Sequence, residues 1–382
     1  MSGPSPALAA ARGAVRRALS DLGLGAARTS SPHDLPADDA PLVLVACSGG
    51  TDSLALAAAT AFVAPRLGLR VAAVVVDHGL QDGSARVAST AAEALREIFS
   101  ARTGHTAMVE VVTVAVEKTG TGPEADARAT RYAALTTTAD RLGAGVVLLG
   151  HTLDDQAEQV LLGLARGSGA RSLSGMAMLR ELPLDRGQER PFGASSGPET
   201  QPVLARSQAR RAVLAVRPFL QLTRDQTAQV CADLGLRPWR DPHNEDDRFA
   251  RVRARAAVRM LEDSLGPGVR AALGRTADLL RDDADLLEEL TAQAHLELGQ
   301  APWEVRRLLE MPRAVRTRLW RCAALTAGSP GTDLNAGHLL AVDSLLTHWH
   351  GQGPIHLPGG VRARRHQGRL WIGSEAASTM AP

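Results

Sequence analysis

Lysine, cysteine and aromatic residues are scarce in this chain of 382 residues, and each scarcity removes a class of protein. The three cysteines, Cys47, Cys231 and Cys322, lie far apart, with no CxxC pair and no Cys/His cluster. That spacing leaves an iron–sulfur cluster, a structural zinc site and a disulfide framework poorly supported. One tyrosine and five phenylalanines cannot build the aromatic platforms on which many proteins stack single-stranded bases. The longest apolar run, around Val71–Val76, is far shorter than the ~20 residues of a membrane helix. The N-terminus lacks the basic-then-apolar pattern of a signal peptide, so the expectation is a cytoplasmic protein with no membrane partner. Lys118 is the sole lysine, so among 43 basic and 41 acidic residues arginine carries nearly all the positive charge. The accompanying wealth of alanine and glycine marks a compositional bias, and the arginine excess is not in itself a function. A hydrophobic fraction of 45% fits an ordinary globular protein.

Pro6–Leu22 suits a short amphipathic helix, and a Ser/Pro/Asp-rich linker follows it. Leu42–Ala46, Arg70–Val76, Met108–Val116 and Val146–Leu149 are short β-branched apolar runs, and each of the first three leads after a turn into an Ala/Leu-rich stretch of helical length. After the fourth run the helix begins near Asp154, and a fifth unit pairs Ala212–Val216 with a helix over Arg224–Leu234. Such alternation implies right-handed crossovers and an α/β fold, a parallel sheet of about five strands covered by helices. Leu182–Arg211 is polar, rich in Pro, Gly and Ser, and without period, as in a long surface loop. From Arg251 to about Gly328 the periodicity is wholly helical, which predicts a smaller all-α domain. Pro354–Ile372 has a two-strand pattern with turn signals at Gly359-Gly360 and Gln367-Gly368, a short β tail. The expected boundaries are 1–40 for the helix and linker, 41–245 for the α/β domain, 246–345 for the helical domain and 346–382 for the tail. The leucine-rich helical stretch offers a face for a homodimer.

The sharpest local signal is Ala46-Cys-Ser-Gly-Gly-Thr-Asp-Ser53, between an apolar strand and a helix. Gly49 and Gly50 let the backbone approach a phosphate closely. Ser48, Thr51 and Ser53 add hydroxyl donors, and the helix N-terminus adds its partial positive charge. Asp52 is misplaced beside bare phosphate unless Mg²⁺ stands between them. A plain strand–helix turn with a Ser or Asp cap accounts for one of these residues and not for the whole string. No GxxxxGK[ST] sequence occurs, which disfavours a Walker-type phosphotransferase.

SGGTDS resembles the PP-loop of the N-type ATP pyrophosphatases, in which pyrophosphate leaves as a nucleophile attacks the α-phosphate. Four further blocks narrow the resemblance: Val76-Asp-His-Gly-Leu-Gln81, Glu124-Ala-Asp-Ala-Arg-Ala-Thr-Arg-Tyr132, Gly150-His-Thr-Leu-Asp-Asp-Gln-Ala-Glu158 with Leu161–Gly169, and Arg217-Pro-Phe-Leu220 with Asp241–Arg248 and Arg251-Val-Arg-Ala-Arg255. In this order and spacing, from about Leu42 to Leu261, the set is similar to the tRNA(Ile)-lysidine synthetase family. The resemblance implies a Rossmann-like PP-loop domain that uses ATP with Mg²⁺. It also implies ligation of L-lysine to C2 of the first anticodon cytidine of tRNA(Ile) with a CAU anticodon, through an adenylated intermediate, which changes decoding from AUG to AUA. Gln159 stands where the family often has Thr, Val252 where its arginine block has Asn, and the Leu182–Arg211 loop is long for the family.

Residue roles follow on those blocks. ATP falls to Ser48, Gly49, Gly50, Thr51, Asp52 and Ser53, with Asp77 and His78 at the end of the second strand. Asp155 and Glu158 lie one helical turn apart, a carboxylate pair suited to a cationic amino acid, and the resemblance assigns them lysine. Asp52 and Asp154 are the expected Mg²⁺ ligands, against plain helix capping for Asp154. Arg128 and Arg131, also one turn apart, suit charge growing on the α-phosphate and join Asp52 and Asp155 as catalytic residues, with Arg128 the preferred match. Arg251, Arg255 and Arg259 recur at helical spacing and with Arg248 predict a basic tRNA-binding stripe, against a solvated face answered by Glu262 and Asp263. A PP-loop tRNA thiolase is disfavoured by the scattered cysteines. A catalytically dead binding module is disfavoured by the retention of Asp52, Asp155 and Arg128.

Overall fold

The computed structural model describes residues 3–25, 36–79, 83–103, 108–116, 123–167, 169–184, 204, 212–241 and 246–374. The expected Leu182–Arg211 loop falls almost wholly outside them. Residues up to Arg281 form one compact unit and residues from Asp282 on form another.

The first unit is built on strands whose sequences are apolar almost throughout, because both faces of the sheet are covered. In chain order it runs Pro6–Ser20 (α1), Leu42–Ala46 (β1), Thr51–Val63 (α2), Arg70–Asp77 (β2), Ser84–Thr103 (α3), Met108–Thr113 (β3), Pro123–Leu142 (α4), Ala144–Leu148 (β4), Leu153–Ala165 (α5) and Ala170–Leu173 (α6). Leu179–Pro183 (β5), Ala212–Val216 (β6), Arg224–Asp233 (α7), Ala250–Leu265 (α8) and the start of Val269–Leu298 (α9) complete it. The sheet order is β3-β2-β1-β4-β6-β5, with β5 antiparallel to β6 and every other neighbour parallel. The five expected parallel strands are present, and β5 adds an antiparallel edge at the start of the segment read as loop. Its sequence, Leu-Arg-Glu-Leu-Pro, lacks a β-branched residue, and Pro183 is tolerated because the strand is at an edge.

Strand order reverses between β1 and β4, so the loops leaving those two strands open a crevice at the carboxyl edge of the sheet. On one face, α2 is buried along nearly its whole length. Its alanines, among them Ala55, Ala57, Ala58, Ala59 and Ala61, let it lie close to the sheet beneath α1, α3 and α7. The N-terminal helix α1 contributes Leu8, Val15 and Leu19 to this core, so it is part of the fold. The opposite face packs Leu44, Val74 and Val147 against Leu135 and Ala139 of α4.

The second unit has the expected helical region and small antiparallel β tail, with four strands in the sheet where the sequence pattern marked two. Trp303–Glu304 (β7), Val305–Leu309 (α10), Arg313–Thr326 (α11), Ala336–Thr347 (α12), Ile355–Leu357 (β8), Val361–His366 (β9) and Arg369–Ser374 (β10) form helices over a four-stranded antiparallel sheet, order β7-β10-β9-β8. The β9–β10 turn is where its signal stood, Gln367 and Gly368 both having positive φ. Strand β7 has two residues, too few for any periodicity, and it is held by register with β10 across Leu370 and Arg369. Trp303, Leu308, Leu319, Trp320, Val342 and Leu370 fill this core. Beneath them Arg316 and Asp343 form a buried two-pronged ion pair at 2.8 and 3.0 Å, and the Trp320 indole N–H donates to Asp343 at 3.2 Å.

Candidate active site

Strand β1 ends at Ala46 and the chain turns through Cys47–Gly50 into α2. Gly49 makes the turn with φ of +80°, and a Cβ there would stand 2.9 Å from that of Ala91. Gly50 is the N-cap of α2, and no side chain caps the helix, so its first N–H groups remain available to an anion. Ser53 Oγ braces the loop by donating to the Gly50 carbonyl at 2.9 Å and accepting from Ser48 N–H at 3.2 Å. From the other side of the crevice, Gly150 follows β4. A Cβ on it would meet the Asp52–Ser53 backbone at 3.1 Å, so glycine is what lets the two loops touch. Trp239 N–H donates to the Gly49 carbonyl at 3.0 Å and closes the third side.

These loops surround a cavity of about 850 Å³, large enough for a nucleotide with a small second substrate. Ser48, Gly50, Thr51, Asp52, Ser53, His78, Arg131, Asp155, Glu158, Arg251 and Arg255 line it, which brings together most of the residues singled out in the sequence. Asp77, Asp154, Arg128, Arg248 and Arg259 do not line it. Asp77 Oδ1 accepts from Gly79 N–H at 3.0 Å and so holds the turn after β2. Arg128 leans over the Tyr132 ring, 5.2 Å from its centroid, and Arg131 is the member of the pair that lines the cavity. Arg248 is exposed and paired with Asp246 at 2.6 Å, and Arg259 is exposed on α8.

The acidic side of the cavity holds the densest network. Asp155, third residue of α5, closes a capping box: its Oδ2 accepts from Thr152 N–H at 2.7 Å and from Thr152 Oγ1 at 3.0 Å. Arg224, first residue of α7, reaches across with Nη2 2.5 Å from Asp155 Oδ1, Nη1 2.7 Å from Glu158 Oε1 and Nε 3.7 Å from Asp52 Oδ2. Arg255 Nε adds a second donor to Glu158 Oε1 at 2.9 Å. Thr227 Oγ1 donates to Asp52 Oδ1. Burial, reinforced by the like charges of Asp155 and Asp154, pushes Asp52 up to about 6 against the help of Thr227 and Arg224. Arg224 and Thr227 carried no signal as site residues in the sequence. Their one legible trace is the capping box Thr223-Arg-Asp-Gln226, which fixes the start of α7.

Opposite stands a basic wall. His151, after β4, is half-buried in it and lines the cavity, its Nδ1 without a hydrogen-bond partner among the described residues. Burial first, then Arg131, Arg217, Arg128 and Arg251, hold this imidazole well below the usual histidine range, so it is neutral at neutral pH. Tyr132, the only tyrosine, accepts from Arg217 at 3.2 Å. Burial raises its phenol, but Arg217, Arg128 and Arg131 outweigh that and bring it down to about 8. So concentrated a positive field suits polyanionic ligands. Burial pushes the Cys47 thiol up and the Cys231 thiol up to about 12, so neither is a thiolate nucleophile.

The Mg²⁺ donors divide. Asp52 lines the cavity beside the uncapped helix end and suits a cation that takes one carboxylate together with phosphate oxygens. Asp154 does not fit: Oδ1 accepts from Arg270 at 2.8 Å and Oδ2 from the Arg224 backbone N–H at 2.9 Å. It ties α7 and α9 to α5, a structural post in place of the expected metal ligand. Among the described residues no group of three or more His, Cys, Asp or Glu forms a metal cluster.

An anion cradle without a Walker lysine lies where the strand order reverses, and with the match of residues 28–261 to the PP-loop domain family it places the chain among ATP-using enzymes of the PP-loop class. Residues 303–371 match the TilS substrate binding domain. The chain is 47% identical to the tRNA(Ile)-lysidine synthase of Thermobifida fusca over 98% of its own length and all of that protein's. It is 48% identical to the tRNA(Ile)-lysidine synthase of Streptomyces coelicolor, covering 97% of this chain and 99% of that one. The chain belongs to the tRNA(Ile)-lysidine synthase family, a family of ligases.

Proposed function

We propose that the protein joins L-lysine to C2 of the first anticodon cytidine of a tRNA(Ile) with a CAU anticodon, at the expense of ATP, and so changes its decoding from AUG to AUA. The observation that carries this reading is one cavity holding an uncapped helix N-terminus and a pair of carboxylates, Asp155 and Glu158, with Asp52 between them. An anion cradle beside a cation site is what an ATP-driven ligation of a cationic amino acid requires. Ser48, Thr51 and Ser53 with the α2 N-terminus hold the β- and γ-phosphates, and Asp52 would hold Mg²⁺, which screens phosphate charge when bound. The cytidine C2 oxygen attacks the α-phosphate and pyrophosphate departs. Arg131 lies where negative charge builds. The lysine side-chain amine, received by Asp155 and Glu158, then forms the C2–N bond as the C2–O bond breaks and AMP leaves. Recognition of the tRNA body falls to the arginines of α8 and to the second unit.

The test is incorporation of radiolabelled lysine into an unmodified tRNA(Ile) transcript, with and without ATP. Label that needs ATP and vanishes when the first anticodon base is no longer C is the expected result. Pyrophosphate release stimulated by tRNA without any label would overturn the choice of lysine as nucleophile and leave the adenylating loop intact.

A further inference from the structure

The Asp155–Glu158 pair is already neutralised before any substrate arrives. Glu158 is 3% exposed, and its Oε1 carries two arginine donors, Arg224 Nη1 at 2.7 Å and Arg255 Nε at 2.9 Å. Asp155 has Oδ2 committed to Thr152 and Oδ1 to Arg224. Arg224 is not a loose surface side chain that drifted into an acidic pocket. Its backbone N–H is fixed by Asp154 Oδ2 at 2.9 Å, and its carbonyl accepts from Thr227 Oγ1 at 2.9 Å, the same hydroxyl that reaches Asp52. The charged groups around its guanidinium are Asp52 from α2, Asp155 and Glu158 from α5 and Arg255 from α8. Asp225 on its own helix stands 4.0 Å from Arg270 of α9, whose main partners are Asp154 and Glu262. Burial works against the charge of Arg224, and Asp155, Glu158 and Asp52 more than offset it, so the guanidinium stays ionised.

A lysine side-chain amine is protonated in neutral water, and an ammonium has no lone pair with which to attack. A buried site of two bare carboxylates would bind that ammonium tightly and hold the proton on it, giving strong affinity and no nucleophile. A second fixed cation sharing the same carboxylates reverses the balance, since a like charge at close range disfavours the protonated amine. We propose that Arg224 is a positioning residue that neutralises Asp155 and Glu158 in advance, so that the substrate amine is oriented by their remaining lone pairs yet reacts uncharged. This rests on the reading that Asp155 and Glu158 receive the lysine side chain. The ammonium gives one proton to water on entering. The freed nitrogen pair forms the bond to C2, the C2–O pair leaves on the phosphate oxygen of AMP, and the nitrogen then sheds a second proton to solvent.

The experiment is single-turnover transfer of lysine to adenylated tRNA by the full-length protein, at a series of lysine concentrations between about pH 6.5 and 9.5. R224Q is expected to keep or improve the apparent lysine affinity. Its transfer rate at neutral pH should fall roughly tenfold, with the acidic limb of the rate profile moved up by about one pH unit, so that it approaches wild type in alkaline buffer. R224K retains the charge and should keep the limb near its wild-type position. A rate lowered equally at every pH, or a weakened lysine affinity with the limb unmoved, would show that Arg224 is only a structural brace and overturn the proposal. Should R224Q not fold, R255Q removes the other cation on Glu158 and must move the limb the same way, and an unmoved limb there overturns the proposal too. The underlying reading fails separately, if D155N and E158Q leave the lysine affinity unchanged.

Discussion

Asp52 shows how a single residue can be placed for a ligand at a cost to the ligand-free fold. Its carboxyl, usually at 3.8, sits at about 6 because burial and the neighbouring charges of Asp155 and Asp154 outweigh Thr227 and Arg224. A folded value above the unfolded one means that folding favours the protonated acid. Stability is therefore present below the unfolded value and lost as pH rises through the folded one, by up to about 3 kcal/mol at neutral pH and above. D52N removes this titration. Ligand-free D52N should exceed wild type in urea stability at about pH 7.5, and the gap should narrow by about 2 kcal/mol at about pH 4.5. Parallel behaviour at the two pH values would contradict the assignment. The loop Ser48–Ser53 was legible because glycines, hydroxyls and a carboxylate in one string have few other uses. The partners that set Asp52's charge were not, because Arg224 and Thr227 are 172 and 175 residues away along the chain, the one a lone arginine in an arginine-rich sequence and the other an ordinary threonine.

Among the elements, α8 marks the limit of what spacing alone can say. Arg251, Arg255 and Arg259 do share a helix face, as their period of four requires, but a period does not reveal what each turn meets. Helix α8 packs against α5, so Arg255 is spent on Glu158 inside the cavity while Arg259, one turn on, remains exposed. Glu262, one of the two acids set against the stripe in the sequence, pairs instead with Arg270 at 2.6 Å. The two arginines should therefore separate in a titration of tRNA binding against salt. R259A is expected to weaken binding and lower the slope of log K against log salt by about one, the signature of one lost phosphate contact. R255A should leave that slope nearly unchanged and act on lysine dependence. Equal slopes for R259A and wild type in filter binding would remove Arg259 from the tRNA surface. Strands with continuous apolar runs were legible for the opposite reason: a sheet buried on both faces leaves its mark on every residue. Strands β5 and β7, at an edge and two residues long, are specified by their partners.

At the scale of the whole molecule, the two compact units are stabilised by different means, and this can be read separately in each. The first has a large aliphatic core on both faces of its sheet. The second, with a smaller core, also buries the Arg316–Asp343 pair, both residues less than a tenth exposed, with Met311 O and the Trp320 indole as further partners. Removing one member of such a pair strands the other charge in the interior and costs about 3–5 kcal/mol, far more than a surface ion pair. Four of the five tryptophans, Trp303, Trp320, Trp349 and Trp371, lie in the second unit, so intrinsic fluorescence reports chiefly on it. D343A should shift the fluorescence-detected urea transition to clearly lower denaturant. Binding of a nucleotide analogue below that transition should keep its wild-type affinity, because Asp343 belongs to a different compact unit from the PP-loop. A D343A protein that loses nucleotide binding together with its fluorescence transition would show that the units fold as one cooperative block, and that the PP-loop depends on the second core for its shape.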